Sequence, residues 1–280
     1  MMCPVMLPIY VISLKASKNR RRAMTERMAE LGLDFSFIDA VIGKDIPADR
    51  KSRLLSEKRR LHLGAPLSDG ALGCLMSHRR AWERIRDTDV DAAIILEDDA
   101  DLAPEALDVL PRIAALKGRF DLINLHHTSG RPLVDAARIS ATHALSITRY
   151  VSIGAIGYVV SRSAAKKLLG VSVPGIFEVD VLMNRWWEHG LKTLVLTPSI
   201  VSEDGHDSTI GYPGVKPKWE RDRLGNRIAR DLNRKRDSLA KRLAFSAMVR
   251  SAKLRLAGDA PRRASIDLQN PDLTWLTETN

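Results

Sequence analysis

Cysteine is nearly absent, with Cys3 and Cys74 the two examples in 280 residues. They lie far apart, so there is neither a disulfide framework nor the paired spacing of a zinc site. A reducing compartment is the default for such a chain, and Cys74, inside the apolar run 71–76, reads as a small buried hydrophobe. Aromatic residues make up 5% of the sequence, which argues against a carbohydrate or nucleic-acid surface built mainly from stacked rings. No stretch approaches the ~18 apolar residues that span a bilayer. No positive charge precedes the first lysine, Lys15, so the apolar start reads as a short leader and a strand, not as a signal peptide. No internal repeat is found.

What is present is ordinary for a globular protein: 45% hydrophobic and 28% charged residues. The length allows one large α/β domain or two small ones. The net charge of +10 is unevenly spread, because residues 216–263 hold sixteen basic and five acidic side chains and leave the remainder close to neutral.

The spacing of apolar residues predicts a strand over 7–14, a helix over 20–31 closed by Gly32, and a second strand over 34–38, together a parallel βαβ unit. A charged segment follows over 48–62, then a helix over 71–86. After it comes Ala92-Ala93-Ile94-Ile95-Leu96-Glu97-Asp98-Asp99, a buried strand that ends in three carboxylates. Further elements are a helix over 104–116, a strand over 120–125, a loop over 126–140, and a strand, turn and strand over 150–160. The helix 164–169 is capped by Ser161 and stopped by Gly170. A helix over 179–189 is stopped by Gly190, a strand covers 192–196, and 197–212 reads as loop. From Arg221 to Leu256 the pattern is an amphipathic basic helix with Ile228, Leu232, Leu239 and Leu243 on one stripe.

The acidic strand end has two readings. Adjacent carboxylates repel unless a cation, a base or water relieves them. They either cap the next helix from a solvated loop, or Glu97 and Asp99, two apart and facing alike, share a hard divalent metal with a phosphorylated ligand at the carboxyl end of the strand. Asp98 then points elsewhere, to a ribose or a basic partner.

Several stretches taken together resemble glycosyltransferase family 25, the lipooligosaccharide and collagen galactosyltransferase group. They are Val11-Ile12-Ser13-Leu14 with Arg20-Arg21-Arg22; Asp39-Ala40; Gly73-Cys74 with Ser77-His78 and Trp82; Leu96-Glu97-Asp98-Asp99; Gly157-Tyr158-Val159-Val160-Ser161 with the Ala164–Leu168 segment; and Val179-Asp180. The sequence departs from the pattern at Ser13, where Asn is expected, and at Glu178, where Pro is expected. The resemblance covers about residues 7–200 and leaves out the basic tail. It implies an α/β type-A glycosyltransferase-like (Rossmann-like) mixed sheet flanked by helices. It also implies an inverting transferase that takes hexose, typically from UDP-galactose.

On that basis Glu97, Asp99 and His206 are the candidate metal ligands, for Mn2+ or Mg2+, and Asp180 is the candidate base that deprotonates an acceptor hydroxyl. Ser13, Arg21, Ser77, His78, Asp98, Gly157 and Tyr158 are the candidate substrate contacts. Each has a plainer reading beside it. His78 is a structural hydrogen-bonding group, the Arg20–Arg22 cluster is a solvated face, Asp180 is a helix-start acid favoured by the dipole, and His206 belongs to a polar loop. Gly154 and Gly157 lack the dinucleotide-binding order and mark close backbone approach.

The expected organisation is a catalytic domain over 1–215 and a basic helical extension over 216–280. The expected partners are a nucleotide-sugar donor, a glycan or glycolipid acceptor such as lipopolysaccharide, and an anionic membrane surface met by the tail, which also reads as a nucleic-acid-binding helix or as a solvated helix packed on its own domain. The place is then cytoplasmic, peripheral on the inner membrane face. The competing functions are a metal-dependent phosphotransferase or hydrolase, which lacks a phosphate-binding glycine loop, and a nucleic-acid-binding protein, which leaves the carboxylate strand without a purpose.

Overall fold

The computed structural model describes residues 6–56, 67–116, 118–128, 133–152, 154–203 and 224–258. In chain order the elements are β1 (Ile9–Ser13), α1 (Lys18–Glu30), β2 (Ser36–Asp39), a 3-10 turn (Gly43–Asp45), α2 (Ala48–Leu54), α3 (Asp69–Arg86), β3 (Ala92–Glu97), β4 (Ala100–Leu102), α4 (Ala106–Ala114), β5 (Leu122–Asn124), β6 (Val134–Arg138), β7 (Ala144–Ile147), β8 (Gly157–Ser161), α5 (Arg162–Val171), α6 (Val179–Met183), α7 (Trp186–His189), β9 (Thr193–Thr197), β10 (Val201–Glu203) and α8 (Leu224–Gly258).

Eight strands form one mixed sheet in the order β2-β1-β3-β8-β5-β9-β7-β6. β1 is parallel to both β2 and β3, and β8 lies antiparallel between β3 and β5. The alternation of side chains along each strand divides the core into two layers. Ile9 and Val11 of β1 and Ile94 and Leu96 of β3 meet Met24 and Met28 of α1 and Leu110 and Ile113 of α4 on one face. Tyr10, Ile12, Ala93 and Ile95 meet Leu72, Leu75, Trp82 and Ile85 of α3 and Leu168 of α5 on the other. Helices cover both faces, so β1 and β3 are buried along nearly their whole length, which is why they read as continuous apolar runs.

The chain leaves β1 toward β2 on one side and returns as β3 on the other. That change of direction opens a crevice beyond the carboxyl ends of β1 and β3, the usual ligand position in open α/β sheets. The turn after β3 is held on both sides, because β4 pairs antiparallel with β10 in a small second sheet. The mixed sheet flanked by helices agrees with the expected fold class.

Several local expectations are corrected. The loop expected over 126–140 contains β6, the charged edge strand of the sheet, whose Asp135 and Arg138 face solvent and blunt the edge. β7 has no counterpart in the sequence pattern, because buried Ser146 breaks its apolar run; the Ser146 hydroxyl donates to Asp135 Oδ1 at 2.8 Å. Among the described residues of 150–160 there is one strand, β8, rather than two. α5 continues through Gly170 to Val171, with no left-handed residue there. The helix expected over 179–189 is two short ones, broken at Asn184 and Arg185. The Asn184 amide donates to Ser152 O, and the Arg185 guanidinium is tied to Glu188 and Asp237. Gly32 and Gly190 do end their helices in the left-handed conformation, at φ 63° and 66°. The domain boundary expected near residue 215 lies outside the described residues. No described helix is long and apolar enough to cross a membrane.

The loop that leads from β2 toward α3 depends on two backbones in contact. A Cβ on Gly73 would meet Val41 O at 2.6 Å and Gly43 N at 2.7 Å, whereas one on Gly170 would meet nothing within 4 Å. Gly73→Ala is therefore expected to destabilise the fold by about 1–3 kcal/mol or more through overpacking. Gly170→Ala, in a helix, is expected to gain ~0.5–1 kcal/mol. Urea unfolding of both variants measures this contrast, and equal midpoints would refute it.

Candidate functional site

A cavity of about 480 Å3 opens at the ends of β1 and β3. Ser13, Arg20, Cys74, Ser77, His78 and the triplet Glu97-Asp98-Asp99 line it, together with the segment 40–44. The parallel register sets Ile12 beside Glu97, so the next residues, Ser13 and Asp98, come together. Ser13 Oγ donates to Asp98 Oδ2 at 2.6 Å, and Arg20 Nη1 donates to Asp98 Oδ1 at 2.8 Å. Asp98 thus has its basic partner.

Asp99 is less well satisfied. Arg20 reaches its Oδ2 at 3.3 Å, while its Oδ1 is buried with no hydrogen-bond partner. Burial first, and the charge of Glu97 second, push its carboxyl up to about 6, against the opposing pull of Arg20. Leaving a buried polar group unpaired costs about 1–3 kcal/mol, and more for a charged one. Atoms of this kind mark strain, a catalytic role or a missing ion. The free oxygens here are hard donors at the end of a rigid turn, a set that suits a hard divalent cation held by Glu97 and Asp99.

Behind the carboxylates lies a buried polar chain. His78 Nε2 is 3.1 Å from Glu97 Oε1, and His78 Nδ1 is 2.8 Å from the Tyr158 hydroxyl, which also accepts from Trp82 Nε1 at 2.9 Å. The His78 and Tyr158 rings stack at 5.7 Å. The chain fixes the orientation of Glu97 from α3 and β8. Cys74 stands one helical turn before His78; its sulfur and the ligand atoms of His78 and Glu97 lie within 4.8 Å of one another. Burial pushes the Cys74 thiol well up, with Glu97 adding to the shift.

The structure distributes the candidate residues unevenly. Ser13, Ser77, His78, Glu97, Asp98 and Asp99 all line the cavity. Ser77 does so as a brace, donating to Gly73 O at 2.7 Å and accepting from Val41 N–H at 2.8 Å, which pins the cavity loop to α3. Arg21 is not on the lining. It turns to Asp39 and Ser13 O, over the Phe37 ring, and its neighbour Arg20 takes the acidic face. Tyr158 is fully buried, and its hydroxyl meets His78 and Trp82. Gly157 does mark a close approach, but the neighbour is Val201, whose methyls would sit 2.9 Å from a Cβ. Asp180 is buried and off the lining. It accepts from Gly154 N–H at 3.0 Å and Val181 N–H at 2.8 Å, while burial raises its carboxyl. It is near enough to Cys74 to help raise that thiol. His206 lies outside the described residues.

The sequence points to the Arg20–Arg22 cluster and, within it, to Arg21, where the structure turns Arg20 to the acidic strand end; Cys74 reads from sequence as a core residue. Successive helical residues point about 100° apart, so one arginine of the Arg20-Arg21-Arg22 run was bound to face the strand ends, and periodicity alone did not say which. Cys74 and His78 are four apart on one helix and share a face, a signal that was available.

Residues 6–183 match the family described as "Glycosyltransferase family 25 (LPS biosynthesis protein)". The chain belongs to glycosyltransferase family 25. Among its relatives, procollagen galactosyltransferase 1-A of Xenopus laevis is 28% identical over 169 residues, covering 58% of this chain and 28% of that protein. A putative glycosyltransferase of Haemophilus influenzae is 27% identical over 199 residues, 70% of each chain. The chain thus spans little more than a quarter of the first of these relatives. A solved glycosyltransferase involved in glycosylation of the major capsid of PBCV-1 aligns at 10% identity with a TM-score of 0.36, over 68% of this chain and 81% of its own.

Tyr158→Phe removes the shared partner of His78 and Trp82 without changing the ring. It is expected to destabilise the fold by about 1–3 kcal/mol, seen as a lower denaturation midpoint; an unchanged midpoint would show that the buried chain contributes nothing.

Proposed function

We propose that the protein is a metal-dependent hexosyltransferase that moves galactose from UDP-galactose, with inversion, to a glycan of the cell envelope such as lipopolysaccharide. The observation that carries the reading is the asymmetric triplet. Asp98 is neutralised by Arg20 and Ser13, while Asp99 keeps a buried oxygen unpaired beside Glu97. A carboxylate pair left short of positive charge, in a crevice at the switch point of the sheet, suits a cation that arrives with its ligand. Family membership supports the nucleotide-sugar donor and a glycan acceptor, and relatives named galactosyltransferases support the sugar.

Mn2+ or Mg2+, when bound by Glu97 and Asp99, supplies Lewis-acid stabilisation of the charge that grows on the departing diphosphate. The chain's own groups prepare that event. His78 and Tyr158 hold Glu97 in place, Arg20 offsets part of the charge of Asp98 and Asp99, and Ser77 sets the loop that walls the cavity. Asp180 is the proposed base. Burial brings its affinity for a proton closer to that of a working base, as an acceptor hydroxyl requires, and the two backbone N–H groups fix its orientation.

The tail supports a membrane role. α8 holds the body through Asp237, Lys241 and Phe245, spaced by four. Its apolar stripe faces away: Ile228, Leu232, Leu239 and Leu243 are each more than half exposed. Arg and Lys flank that stripe, which is the pattern of a helix lying on an anionic bilayer, where a lipid-linked acceptor would be found.

Screening a panel of nucleotide sugars for Mn2+-dependent hydrolysis and transfer tests the enzyme reading. Asp99→Asn is expected to lower the rate at least ~100-fold, as loss of several kcal/mol of charge stabilisation implies. Turnover of no donor, or an unchanged rate in the variant or in chelator, would defeat it. For the tail, Leu232→Ser/Leu239→Ser/Leu243→Ser in the full chain should abolish flotation with anionic liposomes while leaving the fold intact by circular dichroism; undiminished flotation would remove the membrane role.

A further inference from the structure

A second cavity, of about 340 Å3, opens where α8 crosses the body. Tyr150, Phe177 and Trp187 supply three ring walls. Cations lie on those rings. The Arg149 guanidinium is 4.5 Å from the Tyr150 centroid, Arg185 is 4.2 Å from Phe177 and 5.0 Å from Trp187, and Lys241 Nζ is 5.1 Å from Tyr150 and 4.6 Å from Trp187. With Arg234 the lining carries four cations, and its one carboxylate, Asp237, is taken by Arg185 at 2.7 Å. Among the described residues neither Arg149 nor Lys241 has a carboxylate partner.

Ring faces offset part of this charge, at about 0.5–2 kcal/mol per cation. They do not balance it. Burial first, with the charges of Arg149 and Arg185 adding, pushes the Lys241 ammonium down to about 8. In the same wall the indole N–H of Trp187 is buried without a partner. The cavity therefore offers flat apolar walls, unspent donors and excess positive charge. The apolar face of a sugar ring packs on such walls, and phosphate or carboxylate is what arginine and lysine bind best.

The cavity also adjoins a site element. Phe177 and Arg185 bracket α6, which carries Asp180 and packs on α3, the helix that lines the first cavity. We propose that this second cavity is the acceptor subsite, and that it takes a sugar unit bearing a phosphate or carboxylate. The inference rests on the glycosyl-transfer reading above and adds to it the charge class of the acceptor. It also separates the sites by sign: the acidic crevice takes a cation with its donor, and the basic, ring-walled one takes an anionic sugar.

The test titrates the full chain, free of donor and metal, with methyl glucoside, methyl glucoside 6-phosphate, methyl glucuronide and inorganic phosphate, followed by calorimetry and saturation-transfer NMR. At least one charged glycoside should bind about tenfold or more tighter than methyl glucoside and than phosphate alone. Which of the two does so identifies the anionic group. Lys241→Gln and Arg149→Gln should each weaken that binding about tenfold, with Mn2+-dependent donor hydrolysis unchanged. Equal binding of the neutral sugar, phosphate binding as tightly as the sugar phosphate, or unaltered affinity in both variants would overturn the proposal. Loss of donor hydrolysis in the unmodified chain would instead count against the transferase reading itself.

Discussion

The arrangement of the site depends on the pairing of Arg20 with Asp98 across the ends of two parallel strands. Three consecutive carboxylates cannot sit together at a partly buried strand end without a counter-charge. Arg20, on the first turns of α1, supplies one positive charge for three negative ones. It is placed by β1, whose parallel register with β3 sets Ser13 next to Asp98. The remaining imbalance falls on Glu97 and Asp99. The pair is part-buried and closed at 2.8 Å, so the sheet register, the start of α1 and the charge state of the crevice are coupled.

Rigidity comes from neighbours on either side of the triplet. β3 is central in the large sheet, and β4, directly after the triplet, pairs with β10. From beneath, His78, Tyr158 and Trp82 form a buried chain of hydrogen bonds that ends on Glu97. Glu97 is thus positioned by two helical turns of α3 and one residue of β8, all of which also pack the core.

The first βαβ unit, α3 and the acidic strand were legible because burial on both faces writes long apolar runs and clear helical periods. The triplet was legible because its chemistry conflicts with its setting. What could not be read was which arginine of three faces the strand ends, since that depends on the phase of α1 to within one residue. Tyr158 and Gly157 were named from resemblance, and their part lies inside the sheet: one hydrogen-bonds His78, and the other makes room for Val201. β6 and β7 were hidden by Ser146 and Asp135, polar residues that satisfy each other across the pair. The stripe of α8 was visible in sequence, but that it faces away from the body, with Asp237, Lys241 and Phe245 on the packed side, needed the tertiary structure.

The acid-lined crevice at the sheet and the cationic surfaces on α8 have opposite electrostatic tasks. The central proposal is that Glu97 and Asp99 hold a divalent ion together with the donor diphosphate. Electron paramagnetic resonance of Mn2+ titrated into the full chain, with and without UDP, tests it most directly. The expected result is one bound ion whose affinity rises when UDP is present, in the unmodified chain, and loss of that site in Asp99→Asn with the fold retained. Ion binding that is equal in the variant, or indifferent to UDP, would contradict the account.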